Sequence, residues 1–192
     1  MYLFLRHAET AKSESKEWHG GTSDPPLSPK GRKHALSAAE RLCDLNHKIA
    51  LVVTSDFCRA VETAKVFAEV LNCEVHSNPL LRERNLGEWE GLSQFEIERR
   101  WPGLIEDWRM GRICGPPGGE TDDEVVMRVS SALSGYGVKG NGPTLVISHA
   151  GLLRGLLASN GMPDEEIPPL GGRWLTFTAE TGRISIGSGT SL

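Results

Sequence analysis

Three short apolar runs in this chain end in residues that can grip an anion. Tyr2 to Leu5 leads into Arg6-His7, and "ALVVTS" (50–55) leads into Ser55-Asp56, with Arg59 one turn later. "PTLVIS" (143–148) leads into Ser148-His149-Ala150-Gly151. One Arg-His pair at a strand end is ordinary surface chemistry; three such ends together are not. Two guanidiniums and two imidazoles brought to one edge make an anion site, and the forked donors of arginine suit phosphate best. An imidazole inside that clamp can attack phosphorus directly and divide one hard displacement into two easier ones. The leaving oxygen then needs a proton, which requires a carboxylic acid opposite the histidine.

The elements that must position these residues follow from the hydrophobic pattern. The first run is a short buried strand, without the basic leader, long apolar stretch and cleavage site of a signal peptide. Residues 8–27 are polar and rich in Gly, Ser and Pro, the composition of a long functional loop. Ser28-Pro29 starts a helix with a capping hydroxyl and a proline at the first helical position, and it runs to about Leu45. A helix from about Arg59 to Leu71 repeats Ala60, Ala64, Phe67, Ala68 and Leu71 at helical spacing, and a short strand follows near Glu74–His76.

Residues 77–118 break the alternation, with three of the five tryptophans (89, 101 and 108) and the loop "GPPGG". They read as an insertion carrying one or two helices over the main sheet. Thr121 and Glu124 form a capping box for a helix bearing Val125, Val129 and Leu133. Another helix spans about Leu152 to Ser159 and is stopped by Asn160-Gly161. "RWLTFTAE" and "GRISIG" alternate as an edge hairpin, and the Gly/Ser/Thr tail at 187–191 is expected to fray.

Strands alternating with amphipathic helices predict a single domain over residues 1–192. It is a three-layer α/β/α sandwich with a mostly parallel central sheet and a small helical cap insertion at about 77–118. In such sheets ligands bind beyond the carboxyl ends of the strands, where all three anion-gripping ends fall. The helix N-termini after the second and third strands are expected to add backbone N–H groups to the pocket.

Composition narrows the partners. The chain has 192 residues, 39% hydrophobic and 24% charged, with a formal charge of −4. A pI near 5.9 gives no basic excess for nucleic acid or an anionic membrane. No apolar run approaches the roughly 20 residues of a membrane helix. Four scattered cysteines at 43, 58, 73 and 114 form no CxxC pair and read as reduced thiols of a cytoplasmic protein. His19, His34, His47 and His76 read as surface residues, and the three tryptophans as packing within the insertion. The edge hairpin is compatible with a homodimer.

With these residues in view, the chain resembles the histidine phosphatases, the superfamily that includes cofactor-dependent phosphoglycerate mutase. "LRHAET" is similar to the family's Arg-His-Gly-Glu motif, and "DPPLSPKGRKHA" and "SDFCRAVETA" to the stretches that follow it. "LRERNLGEWEG" resembles the segment bearing the family's acid, "PPGGET" the stretch before its late helix, and "VISHAGLLR" its second-histidine strand end. The resemblance implies that His7 is the nucleophile and Glu83 the proton donor. It implies that Arg6, Arg59 and His149 bind and polarise the phosphoryl group. Thr10, Ser13 and Ala150 complete the phosphate- and substrate-binding set. It implies a small phosphorylated substrate, with no metal and no cofactor.

Two positions depart from the family. Ala8 replaces its glycine, which strains the backbone if φ there is positive and otherwise crowds the phosphate with a methyl. Ser13 replaces the asparagine of mutase-like members. His7-Ala-Glu9 matches the H-x-E of zinc deaminases, but the required Pro-Cys-x-x-Cys is absent. No GxxxxGK[ST] loop exists for an NTPase. Mutases carry a longer insertion after Glu83-Arg84, whereas this chain passes quickly from "GEWEGL" to "PPGGET". The expectation is a phosphomonoesterase, with a mutase as the alternative and a non-catalytic phosphate-binding module ranking last.

Overall fold

The computed structural model describes the chain apart from residues 12–17, 19, 22, 46 and 137–141. Six strands form one sheet in the order β3-β2-β4-β1-β5-β6: β1 (Tyr2–Arg6), β2 (Leu51–Thr54), β3 (Val75–Ser77), β4 (Thr144–Ser148), β5 (Gly171–Thr178) and β6 (Arg183–Ser191). The first four run parallel, β5 is antiparallel to β1, and β6 returns along β5 at the edge. The strands β1, β2 and β4 are buried along nearly their whole length, as parallel strands covered on both faces must be.

Alternate residues of each central strand feed the two cores. Leu3, Leu5, Val52, Leu145 and Ile147 meet α1 (Pro29–Asp44) and α2 (Cys58–Leu71) through Ala35, Ala39, Ala60, Ala64 and Phe67. Tyr2, Phe4, Val53 and Val146 meet α5 (Asp122–Ser134) and α6 (Ala150–Ser159) on the other face. Two helical layers thus sandwich a mostly parallel sheet. Ser28 caps α1 by accepting from Gly31 N at 2.9 Å, and Thr121 with Glu124 forms a reciprocal capping box on α5.

Between β3 and α5 the chain makes two 3₁₀ turns, at Pro79–Leu81 and Gly87–Trp89. The short helices α3 (Gln94–Arg100) and α4 (Leu104–Arg109) follow. This stretch has its own apolar cluster, in which Trp89 and Trp108 pack edge to face 5.6 Å apart and Trp18 and Trp101 join them.

Two expectations fail locally. The tail at 187–191 does not fray, because β6 continues through Ser191 and pairs Gly171 with Ser191 and Gly172 with Thr190. The last helix begins at Ala150 rather than Leu152, because a carboxylate distant in sequence satisfies its first N–H groups.

Strand order sets the site. β1 and β2 flank β4, with Arg6 opposite Ser148 and Thr54 opposite Ile147. The ladders continue past the strands through His7 N to Ser148 O (2.9 Å) and Ser55 N to Ile147 O (3.0 Å). On its other side β1 is held by β5, where Gly172 lies opposite Leu5 and an added Cβ would stand 1.8 Å from the Phe4 carbonyl oxygen. Gly172→Ala should therefore lower stability by about 1–3 kcal/mol through overpacking against backbone. Gly135→Ala, at φ −76° with 3.6 Å to its nearest neighbour, should be neutral or slightly stabilising. Urea unfolding of both variants checks this, and equal midpoints would contradict it.

Candidate active site

The ends of β1, β2 and β4 bring His7, Arg59 and His149 together in one buried cluster. His7 is 7% exposed and His149 wholly buried, and their rings pack edge to face 5.3 Å apart. The His7 Nδ1–H donates to the Ala8 carbonyl at 2.7 Å, which leaves Nε2 as the ring's lone-pair atom. That nitrogen accepts from Arg59 Nε at 3.2 Å. Burial, then Arg59 and Arg6, pushes the His7 pKa down to about 3. His149 lies well below its ordinary value because it is buried, with His7 and Arg59 adding to the effect. Both imidazoles are neutral at physiological pH, and one of them carries an aimed lone pair.

Arg59 is held from the loop side. Its Nη1 donates to Ser23 O at 2.6 Å and to Asp24 Oδ1 at 3.4 Å, its Nη2 donates to Gly20 O at 3.4 Å, and Phe57 lies under the guanidinium. Arg6 donates from Nη1 to Ile167 O at 2.8 Å, while its buried Nε has no protein partner. Neither ring nitrogen of His149 makes a hydrogen bond to any of the described residues. Buried polar atoms in this condition need an explanation, and at this cluster of strand ends an anion would satisfy them.

Glu83 faces this group from the segment after β3. Its carboxylate accepts from Arg84 N (2.7 Å), Leu152 N (2.9 Å) and Gly151 N (3.2 Å), so it caps α6. At Gly151 a Cβ would stand 2.7 Å from Glu83 Oε1, so a larger residue there would push that carboxylate aside. Ser148 Oγ donates to Leu81 O at 2.9 Å and ties the same segment to β4. Arg6, His7, Thr10, Arg59 and Glu83 together line one cavity of about 120 Å³, with Gly20, Ser23 and Pro25.

The remaining residues singled out from the sequence fall as follows. Ala150 lines the adjoining cleft rather than this cavity. Ser13 and His19 lie outside the described residues. Asp56 turns away into a bidentate pair with Arg82, at 2.7 and 2.6 Å. Protein carboxylates take part of the N–H groups at both helix N-termini. Asp24 accepts from Cys58 N at 2.7 Å ahead of α2, and Glu83 does the same at α6. Asp24 thus both caps α2 and steadies Arg59, a double role hidden in "DPPL". Thr63 was equally hidden: it donates to Arg59 O and accepts from Ala8 N, fixing residue 8 against α2.

Ala8 resolves differently from either expectation. It is not among the residues with positive φ, so its backbone is unstrained. Its methyl is fully buried in the core with Leu27 and Ala35 and does not line the phosphate-sized cavity. Among the described residues no three His, Cys, Asp or Glu side chains gather as a metal-binding group. No helix among them is long and apolar enough to cross a membrane.

A mostly parallel sheet whose strand ends carry a buried histidine beside two arginines, facing a carboxylate, has the chemistry that phosphoryl transfer requires. The comparisons agree with this class. A family model described as the histidine phosphatase superfamily (branch 1) matches residues 2–179, and the chain belongs to that family. A glucosyl-3-phosphoglycerate phosphatase of Mycolicibacterium vanbaalenii is 31% identical, over 93% of this chain and 84% of its own. A 2,3-bisphosphoglycerate-dependent phosphoglycerate mutase of Bartonella henselae is 29% identical, over 86% of this chain and 84% of its own. Among solved structures, a mycobacterial glucosyl-3-phosphoglycerate phosphatase in complex with VO3 superposes with a TM-score of 0.83. It is 25% identical and is matched over 100% of this chain and 99% of its own. The chain is thus a phosphatase of this superfamily, a hydrolase of phosphate monoesters.

The buried imidazoles make acid destabilising. Between about pH 6.5 and 3 the unfolded chain takes up a proton at His7 that the folded protein refuses, so stability falls as pH drops through that window. Urea midpoints should decline from roughly pH 7.5 to 5, where most carboxylates stay ionised, and His7→Gln should flatten the decline. An unchanged pH slope in the variant would contradict the assignment.

Proposed function

We propose that the protein hydrolyses a small phosphorylated metabolite through a covalent phosphohistidine on His7, with Glu83 as general acid and then general base. The observation that carries this reading is the fixed tautomer of His7. Its Nδ1–H is committed to Ala8 O, which leaves the lone pair on Nε2, and His7 lines the same cavity as Glu83. In the first step Nε2 attacks phosphorus, the P–N bond forms and the ester P–O bond breaks. The departing alkoxide takes the proton from Glu83, leaving a carboxylate that three backbone N–H groups already address. Arg6, Arg59 and His149, with Thr10, hold the non-bridging oxygens, where charge develops in the transition state. For Nε2 to attack, Arg59 must first exchange its hydrogen bond to that nitrogen for one to a phosphoryl oxygen, which frees the lone pair. In the second step Glu83 takes a proton from water, water attacks phosphorus, and His7 leaves as a neutral imidazole.

The phosphatase reading is preferred to mutase chemistry because the stretch after Glu83 is short. Residues 77–118, acting as a cap, would leave the phosphoenzyme open to water. The names of the M. vanbaalenii and mycobacterial relatives point the same way, to phosphate esters of small metabolites. Four free cysteines suit a reducing compartment, and we place the enzyme in the cytoplasm.

An alkoxide needs a proton to leave at neutral pH, and p-nitrophenolate does not. Glu83→Gln, which keeps an acceptor oxygen for α6, should lower kcat/KM for alkyl phosphates by roughly 10²–10⁴-fold. It should lower kcat/KM for p-nitrophenyl phosphate far less. Equal losses on both substrates would leave Glu83 a structural cap only and defeat the assignment.

A further inference from the structure

Shared lining residues link two more cavities to the phosphate-sized one, and the proposed chemistry uses neither. The first, about 240 Å³, shares Arg6 with it and reaches Arg109, Arg154 and the stretch from Asp164 to Ile167. The second, about 400 Å³, shares Arg109, Arg154, Asp164 and Glu165 with the first and is walled by Trp108, Leu157 and Met162. Cavities of roughly 300–1,000 Å³ hold ligands far larger than a three-carbon acid.

Charge decides what kind of group fits. The first cavity sets Arg6, Arg109 and Arg154 against Asp164, Glu165 and Glu166. The second sets Arg84, Arg109 and Arg154 against Asp122, Asp164 and Glu165. Arg84, Arg109 and Arg154 are already committed to carboxylates, and Arg6 is the phosphate ligand proposed above. Arg154 grips Asp164 through two hydrogen bonds of 2.6 and 2.7 Å, and Arg109 Nε lies 3.4 Å from the same carboxylate. Arg84 is buried, donates to Glu120 O at 3.0 Å and forms an ion pair with Asp122 at 2.6 Å. A second anionic group on the substrate would have to break one of these pairs and approach the carboxylates beside it. Hydroxyl groups face no such conflict, because each can donate to a carboxylate lone pair and accept from a guanidinium N–H. The apolar walls suit the C–H faces of a ring or chain.

We infer that these two cavities are the leaving-group subsite, and that they select a neutral, hydroxyl-rich alcohol of sugar to disaccharide size over one bearing a second anion. The inference rests on the phosphatase reading and adds the substrate class. It separates this chain from enzymes whose substrates carry a carboxylate or a second phosphate next to the transferred group.

A matched pair tests it on the intact protein. Glucitol 6-phosphate and 6-phosphogluconate share a six-carbon chain and differ at C1, where one has a hydroxyl-bearing carbon and the other a carboxylate. The wild type should prefer glucitol 6-phosphate in kcat/KM by roughly tenfold or more. Asp164→Ala, which frees Arg109 and Arg154, should narrow or reverse that ratio. Ala158→Trp, at an exposed position lining the larger cavity, should lower kcat/KM for a disaccharide monophosphate relative to p-nitrophenyl phosphate by roughly tenfold or more. A wild-type preference for 6-phosphogluconate, or ratios unmoved by both variants, would overturn the inference while p-nitrophenyl phosphate turnover keeps the phosphatase reading intact. No turnover of any ester, p-nitrophenyl phosphate included, would overturn both.

Discussion

A neutral imidazole lodged against guanidiniums is the constraint on which this structure turns. In water a histidine beside two arginines is merely discouraged from protonating; buried, it is prevented from doing so, and the His7 pKa falls to about 3. The hydrogen bond from Nδ1 to the Ala8 carbonyl then selects the lone-pair nitrogen. Both conditions depend on backbone placed to within a fraction of an ångström. Residue 8 is fixed by Thr63 on α2, and His7 N is fixed by the last carbonyl of β4. A nucleophile at the end of a central strand is therefore positioned by the sheet rather than by a loop, which preorganises the site.

The carboxylates share one logic. Helix N-termini attract negative charge, and here the charge comes from the protein: Asp24 before α2 and Glu83 before α6. Each carboxylate serves as a cap and also faces the site, Asp24 by holding Arg59 and Glu83 by lining the cavity. Helix stability and site geometry are thus coupled at two points. Loss of either cap would loosen a reactive group before it unfolded a helix.

Much of this was legible in the sequence because periodicity reports burial. The alternation of strands and amphipathic helices gave the three layers, and the polar residues ending "LFL", "VVT" and "VIS" marked the carboxyl edge. The strand order was not legible, since hydrophobic runs do not say which neighbour they choose. The order β2-β4-β1 makes the three ends adjacent. Long-range contacts were hidden for the same reason. Thr63 reads as an ordinary helix residue, and Asp24 as one turn residue among prolines. Glu83 is separated by 68 residues from the Gly151 N–H it caps. The tail at 187–191 misled because its Gly and Ser content signals disorder, whereas pairing with β5 supplies the order that composition lacks.

The central claim is that His7 becomes phosphorylated during turnover, and trapping the intermediate tests it most directly. The P–N bond of phosphohistidine is labile in acid and survives alkali. Rapid quench of the enzyme with a ³²P-labelled monoester under alkaline conditions, followed by peptide mapping, should place the label on the peptide containing His7. The label should form no more slowly than the enzyme turns over. Label on Ser55 or Cys58, or full activity in His7→Ala, would contradict the account.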